Sequence, residues 1–298
     1  MVDWPFVGTE AVANRAVNRY QLRTRYTAVY RNVYVEAGHE LTPVTKAVAA
    51  WLWSRREATV AGVSAAALLG SRWIDATMPA EINRRSRERP PGIVVFSDRL
   101  SDDEKSSVAG IPVTTPARTA LDIGRRNNLT TAVIRLDALM RATEINVADV
   151  LAVAARHRGA RGVAQLRRAL TLVDPGAESP QETRTRLALV RAGLTAPSTQ
   201  IEVHDAFGNF VARLDMGWDD FKVAVEFDGA QHWTDPAQRA RDIDRLAELE
   251  ALGWKVIRVS SHMLRYRPGV MIARVRAALE AAGCPWATRM STYERQAA

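Results

Sequence analysis

The chain has almost no cysteine and no long apolar run, and each absence excludes a class of protein. Its 298 residues include a single cysteine, Cys284, which cannot form an intrachain disulfide. The longest apolar stretches, such as Val48–Trp53, are far shorter than the roughly 20 residues that a membrane-spanning helix needs. The first residues, which include Asp3, lack the apolar core of a secretory signal. We therefore expect a cytoplasmic protein that does not cross a membrane.

Charge is distributed unevenly along the chain. Hydrophobic residues make up 47% of the sequence and charged residues 25%, which is ordinary for a globular protein. Residues 1–177 hold 25 Lys and Arg against 17 Asp and Glu, whereas residues 178–298 hold 16 of each. The net charge of +8 therefore belongs to the first part, which can attract a polyanion such as DNA. An arginine-rich surface that contacts only water explains the same excess, and charge alone does not separate the two.

Turn-forming residues mark one clear boundary. The stretch Val173–Pro180 contains Asp, Pro, Gly and Ser between two helical patterns. Before it, apolar residues recur at helical spacing from Thr130 to Leu172. We predict three parts: a basic, mixed α/β region over residues 1–129, a helical connector over 130–177 and a second domain over 178–298.

The first region combines a basic helix with short strands. Arg19–Tyr26 is predicted to be a helix and Asn32–Gly38 a strand, which is how a winged helix ends. We expect Arg23 and Arg25, on the basic helix, to contact DNA. Because little chain precedes this helix, only a partial winged helix is predicted. Two further segments are predicted to be strands, over 92–96 and 111–114.

The second domain alternates helix and strand patterns in the order αβββαβα. Ser179 followed by Glu182 is a capping-box arrangement that begins the first helix. The short links Phe207–Asn209 and Gly217–Asp220 predict antiparallel strand pairing, and we expect an α/β fold with a central mixed sheet. The predicted elements are a helix over 180–192, strands over 199–205, 210–216 and 221–228, a helix over 236–252, a strand over 254–260 and a helix over 269–282.

Alternation along two of these strands brings acidic side chains together. In the third strand Glu226 and Asp228 point to the same face. If the second strand pairs with the third in antiparallel fashion, Asp215 lies beside Glu226. Like charges this close need a cation or a proton, and Mg²⁺ prefers carboxylate oxygens. We therefore predict that these three residues hold Mg²⁺ or Mn²⁺ and take part in catalysis; strand-end acids that only face solvent are the alternative.

The same region resembles a nuclease family. The pattern that carries the likeness consists of Asp215, Glu226–Gly229, Gln231-His232, Arg241-Asp242, Asp244-Arg245 and Leu252–Val259. It is similar to the Vsr-like branch of the PD-(D/E)xK nuclease superfamily, whose domains are restriction-endonuclease-like. The resemblance implies Asp215 and Glu226 as metal ligands, Glu182 as an outer helix acid and His232 as a catalytic or phosphate-contacting residue. A capping-box acid and a capped loop histidine are the plainer explanations of the last two.

One position departs from that family's pattern. The superfamily has a Lys two residues after the Glu, and Asp228 stands there in this chain. His232 or Arg245 can supply the missing positive charge; otherwise catalysis is weak or lost. We predict that Gln231, Arg241 and Arg245 contact nucleic acid.

A second resemblance covers the first region. Val60–Gly70 and Gly110–Asp122, which contains Pro-Val-Thr-Thr-Pro-Ala-Arg-Thr, are similar to AbiEi-type antitoxins of type IV toxin–antitoxin systems. The resemblance implies a transcriptional regulator whose winged helix binds its own promoter, and a cognate toxin protein as a possible partner. Arg118 in this motif either contacts DNA or only ties its helix to the preceding strand.

These observations leave two main functions open. The first is a metal-dependent DNA endonuclease whose basic N-terminal region supplies DNA affinity. The second is a non-catalytic DNA-binding transcriptional regulator or type IV antitoxin that retains a nuclease-like fold, since a fold does not guarantee chemistry. A module that neutralises a toxin by protein–protein contact is a third, weaker alternative.

Overall fold

The computed structural model describes residues 5–86, 88, 90–228 and 236–287. Its contacts divide the chain into two units, Met1–Val173 and Asp174–Ala298. Most of the predicted connector, residues 130–173, therefore lies inside the first unit, and the remaining four residues begin the second. None of the helices in the described ranges has the length and apolar character needed to cross a bilayer.

The first unit begins with a strand, two short helices and a hairpin. The elements are β1 (Phe6–Val7), α1 (Gly8–Ala13), α2 (Arg19–Thr24), β2 (Tyr26–Tyr30), β3 (Val33–Glu36) and α3 (Pro43–Trp53). The strands form an antiparallel sheet in the order β1-β3-β2. This is the later part of a winged helix without its first helix, and α3 packs against all three strands instead. The prediction of a partial winged helix is confirmed.

A second sheet follows, and α3 shares its core. Its strands, with helix α4 (Gly62–Leu68) after the first, are β4 (Thr59–Val60), β5 (Ala80–Asn83), β6 (Ile93–Phe96), β7 (Lys105–Val108) and β8 (Ile111–Thr114). The strand order is β6-β5-β4-β8-β7, with both parallel and antiparallel pairs. The two predicted strands correspond to β6 and β8. The edge strand β7 was not predicted, because its Lys-Ser-Ser-Val sequence is mostly exposed and lacks apolar alternation.

Four helices complete the first unit. They are α5 (Pro116–Arg126), α6 (Leu129–Thr143), α7 (Val147–Arg156) and α8 (Val163–Leu170). Each begins at a turn residue, and the side chains of Thr115, Asn128 and Asn146 cap the first three by accepting backbone N–H bonds. All three later helices pack against α5. They therefore contribute to the core of the first unit, where a separate connector was expected.

Arg118 holds this part of the unit together from inside. The residue is only 1% exposed. Its guanidinium donates to Asp122 at 3.1 Å, to Glu104 at 3.0 Å and to Asp98 at 3.0 Å. The last two acids belong to the segment between β6 and β7. Of the two roles considered for Arg118, the structure supports the structural tie, because a buried, fully engaged guanidinium cannot reach DNA.

Removing this guanidinium should destabilise the first unit strongly. Arg118→Leu leaves Glu104 and Asp122 buried, at 1% and 2% exposure, without their shared cation. We expect the free energy of unfolding to fall by about 3 to 5 kcal/mol, measured by urea unfolding with hydrogen exchange followed in α5. As a control, Lys105→Ala removes the exposed Lys105–Asp102 pair and should cost less than about 1 kcal/mol. Equal losses in the two variants would contradict the assignment.

The second unit contains the predicted order of elements. They are α9 (Pro180–Arg191), β9 (Ser198–His204), β10 (Phe210–Trp218), β11 (Val223–Asp228), α10 (Pro236–Ala251), β12 (Lys255–Ser260), α11 (Ser261–Tyr266) and α12 (Pro268–Ala281). The strand order is β12-β11-β10-β9. Only β11 and β12 are parallel, so the sheet is mixed. The αβββαβα prediction is confirmed, with the short α11 as an addition.

Helices cover both faces of this sheet. On one face Val225 of β11 packs with residues of α9 and α12. On the other face Ala224 packs with Leu249 of α10. Since neighbouring residues of a strand alternate between faces, Glu226 lies on the α10 side. The helical spacing of Ile243, Leu246, Leu249 and Leu252 predicts one buried stripe on α10. Ile243 is 61% exposed, so that part of the prediction is wrong.

Candidate functional site

Asp215 and Glu226 lie side by side on neighbouring strands. In the antiparallel pairing of β10 with β11, Met216 is opposite Val225 and Gly217 is opposite Ala224. Continuing this register by one residue places Asp215 opposite Glu226. The Asp215 Oδ2 atom accepts a hydrogen bond from the backbone N–H of Phe227 at 2.8 Å. The structure therefore brings together the two carboxylates that the strand pattern placed on one face.

Arg245 of α10 binds both oxygens of Glu226. Its Nη1 donates to Oε1 at 2.8 Å and its Nη2 to Oε2 at 3.0 Å. Glu226 is only 9% exposed, so the pair is largely shielded from water. The hydrogen bonds to Glu226 raise the pKa of Arg245 above its usual value. This two-pronged contact is the strongest geometry available to an arginine and a carboxylate.

Glu182 stands in the first turn of α9, which Ser179 caps. Its backbone N–H donates to Ser179 Oγ at 3.1 Å, and its own Oε2 accepts from the backbone N–H of Glu178 at 2.8 Å. The side-chain amide of Gln200 also donates to this oxygen, at 3.4 Å. Ser179 therefore caps α9 as its spacing predicts, whereas the Glu182 carboxylate binds the N–H of Glu178, one residue before the position that a capping box requires. The charge of Glu182 also acts on Asp215.

The surroundings of Asp215 disfavour the charged form of its carboxyl group. Burial raises its pKa to about 7, and the charges of Glu182 and Glu226 act in the same direction. The Phe227 N–H bond and the charge of Arg245 lower it, without reversing the effect. Among the described residues, two carboxylates therefore oppose the charged form of Asp215 and one guanidinium favours it, so this carboxyl has a local deficit of positive charge.

Asp228 is engaged elsewhere. Its Oδ2 lies 2.8 Å from the Arg258 guanidinium of β12, and its buried Oδ1 has no hydrogen-bond partner within the described ranges. Among those residues, no three acidic, histidine or cysteine side chains converge closely enough to hold a metal ion. The single cluster expected from Asp215, Glu226 and Asp228 is therefore not formed. The physical reason is that β12 pairs with β11 in parallel and presents Arg258 opposite Glu226, within reach of Asp228.

The predicted nucleic-acid contacts differ in their placement. Arg241 is exposed on α10, one turn before Arg245. Gln231 and His232 lie outside the described residues. Arg23 and Arg25 are exposed at the end of α2 and just after it.

Helix α2 and the β2–β3 hairpin carry further exposed residues that sequence reasoning did not single out. Tyr20 on α2 is 68% exposed. Arg31 is exposed in the two-residue link between β2 and β3, where Asn32 has a positive φ of 63°. The Arg31-Asn32 pair lies between two runs of β-branched and aromatic residues. This pattern could have predicted the turn.

The first unit also contains a cavity of about 430 Å³ that the sequence did not predict. Arg118, Glu104, Arg156 and His157 are among its lining residues. These charged side chains are paired with one another or with a neighbouring acid. Glu104 binds Arg118 and His157, and Arg156 lies 2.9 Å from Asp103. The full lining contains four arginines, Arg99, Arg118, Arg125 and Arg156, against two acids, Asp98 and Glu104. Part of the compensating charge comes from acids outside the lining, such as Asp103 and Asp122.

Two family models match the chain. Residues 58–173 match the AbiEi antitoxin C-terminal domain, and residues 182–279 match REase_MTES_1575, a restriction-endonuclease-like family. The first match includes Arg118 and its buried partners. The second includes Glu182, Asp215, Glu226 and Arg245. The chain is thus similar to an AbiEi antitoxin domain over one stretch and to a restriction-endonuclease-like domain over another. The helix–hairpin segment before residue 58 lies outside both matches.

Two curated proteins of Mycobacterium tuberculosis strains are similar to part of the chain. The uncharacterized proteins MT2308 and Rv2248 are each 32% identical to it over 175 residues. The match covers 59% of this chain and 64% of each relative. The names of these relatives assign no activity, so the function must be argued from the residues.

The raised pKa of Asp215 predicts a specific dependence of stability on pH. Folding favours the neutral carboxyl, so its contribution to stability is complete below pH 4 and is lost as pH rises towards about 7. Without divalent cations, Asp215→Asn should exceed the wild type in free energy of unfolding by roughly 1 to 3 kcal/mol at pH 8. The difference should shrink towards pH 4, as urea unfolding at several pH values will show. A pH-independent difference would argue against the assignment.

Proposed function

We propose that the second unit is a Mg²⁺- or Mn²⁺-dependent DNA endonuclease of Vsr-like type, which hydrolyses phosphodiester bonds. The observation that carries this proposal is the pairing of the half-buried Asp215 with the buried Glu226 on adjacent strands. The match of residues 182–279 to a restriction-endonuclease-like family supports it. Cytoplasmic location is part of the same proposal, since the substrate is cellular DNA.

The residues present fit a divalent metal ion by their chemistry. Carboxylate oxygens are the ligands that Mg²⁺ and Mn²⁺ prefer, and the surplus of negative charge around Asp215 favours a cation there. Asp215 and Glu226 would hold the ion. Asp228, which contacts Arg258 and does not converge on the pair, would have to turn towards the ion to serve as the predicted third ligand through Oδ1. When bound, such an ion lowers the pKa of a bound water and stabilises charge on the phosphoryl oxygens.

Other residues of the chain would bind and orient the substrate. Arg245 supplies a positive charge next to Glu226, where the superfamily's Lys is replaced by Asp228. We propose that Arg241 and Gln231 contact the DNA backbone and that His232 is catalytic or contacts a phosphate. Glu182 acts on the site through its charge on Asp215.

The first unit would supply much of the DNA affinity. Exposed basic residues and an exposed tyrosine lie on α2 and at the adjoining hairpin tip: Arg19, Tyr20, Arg23, Arg25 and Arg31. In a winged helix, the helix before the hairpin lies in the major groove. Arginines on this surface would neutralise phosphates, which makes binding sensitive to salt.

One set of observations favours the non-catalytic alternative. Residues 58–173 match an antitoxin domain, and Arg245 already occupies both oxygens of Glu226. A DNA-binding regulator or type IV antitoxin with a cognate toxin as partner would need the fold of the second unit without its chemistry. The two functions differ in what they require of Asp215.

Cleavage of supercoiled plasmid tests the nuclease proposal directly. With Mg²⁺ or Mn²⁺ the full chain should nick the plasmid, and Asp215→Asn or Glu226→Gln should reduce the rate at least about 100-fold, a typical loss for removing charge stabilisation in a catalytic site. Glu202→Gln removes an exposed carboxylate from β9 of the same sheet and should leave the rate unchanged. Failure of the wild type to cleave with any divalent metal would favour the regulator.

DNA binding gives a separate prediction for the first unit. Replacing both Arg23 and Arg25 by Ala should weaken binding about tenfold or more at moderate salt and lower the slope of log K against log salt by about 2. Arg158→Ala, an exposed arginine elsewhere in the unit, should have little effect. Fluorescence anisotropy over a range of salt concentrations measures both quantities. An unchanged slope in the double variant would remove α2 from the interface.

A further inference from the structure

Both carboxylate oxygens of Glu226 are bound to Arg245. The two contacts, at 2.8 and 3.0 Å, join the two nitrogens of one guanidinium to the two oxygens of one carboxylate. Asp228 differs, because Arg258 contacts only its Oδ2 and leaves Oδ1 without a partner within the described ranges. Of these two acids on β11, only Glu226 must give up an existing contact to become a metal ligand.

A guanidinium and a divalent cation compete for this carboxylate. Both are positively charged, and they repel each other when they share one buried carboxylate, where water screens them weakly. The strand pairing fixes Glu226 in the sheet, whereas Arg245 reaches it from α10 through a long, rotatable side chain. Arg245 is therefore the group that moves when a metal ion arrives.

A released Arg245 remains in a position to bind substrate. Its planar guanidinium matches a phosphate in the same two-pronged geometry that it uses for a carboxylate. Arg241 lies one helical turn away on α10 and is exposed, so the two arginines can follow a phosphate backbone along the helix. The ligand implied for Arg245 is a phosphodiester group of the DNA.

We propose that Arg245 is an exchangeable counter-cation: it neutralises Glu226 in the metal-free protein, yields at least one of its oxygens to the divalent ion, and then binds a phosphate of the DNA. This inference rests on the proposed nuclease function. Arg245 is a positioning residue before metal binding and a substrate-binding residue after it. Metal affinity and DNA affinity therefore depend on the same side chain in opposite directions.

Metal binding without DNA tests the exchange independently of catalysis. Isothermal titration calorimetry of the full chain with Mn²⁺ should show about tenfold tighter binding for Arg245→Gln than for the wild type, because the competing cation is gone. The same variant should bind DNA about tenfold more weakly in Ca²⁺. Arg213→Gln is the control, since it removes an exposed arginine from β10 that pairs with Glu178 at 3.2 Å; it should change neither affinity.

The outcomes separate this inference from the proposed function. If Arg245→Gln binds Mn²⁺ as tightly as the wild type or more weakly, while the wild type still cleaves DNA, the exchange is overturned and the nuclease stands. If neither protein binds Mn²⁺, both the exchange and the nuclease proposal are overturned.

Should Arg245→Gln fail to fold, Arg245→Lys provides the test. It keeps the charge but gives up one of the two contacts, and its Mn²⁺ affinity should lie between those of the wild type and the expected Gln variant; equality with the wild type would overturn the exchange.

Discussion

The antiparallel pairing of β10 with β11 is the constraint on which the candidate site depends. A shift of one residue in this register would turn Asp215 to the opposite face from Glu226. The neighbouring Gly217 helps to maintain the pairing, because a Cβ atom there would lie 2.5 Å from the carbonyl oxygen of Val223. The backbone bond from Phe227 to the Asp215 carboxylate then holds the acid in place.

The shortage of positive charge around Asp215 links the two candidate functions. A buried carboxylate whose pKa is raised to about 7 is costly to ionise near neutral pH. A catalytic site uses that cost to draw in a metal ion, because the ion relieves it. In a scaffold without catalysis the same strain would be relieved by a proton, with Arg245 left permanently on Glu226. The arrangement of the first unit, where Arg118 satisfies three carboxylates at once, shows what a fully compensated cluster looks like.

Much of the second unit could be predicted because its local signals agree. Ser179 caps α9 as its spacing indicates, and apolar alternation with short turns identified all four strands. The first unit was harder. Strand β7 carries no apolar pattern because it lies at an edge, and the helices after residue 129 looked like a connector because their apolar faces give no indication of which neighbour they bury against. Ile243 fits a helical stripe, yet the stripe of α10 that meets the sheet is centred on Leu249.

By itself, the sequence determined the order of elements in the second unit, the neighbouring positions of Asp215 and Glu226, and the basic character of the first region, since periodicity and charge are local properties of the chain. Only the tertiary structure decided which cation each acid receives. Asp228 binds Arg258 because β12 adds in parallel to β11, and Glu226 binds Arg245 because α10 crosses that face of the sheet. Ion pairs between distant segments depend on three-dimensional packing, and spacing along the chain carries no record of it.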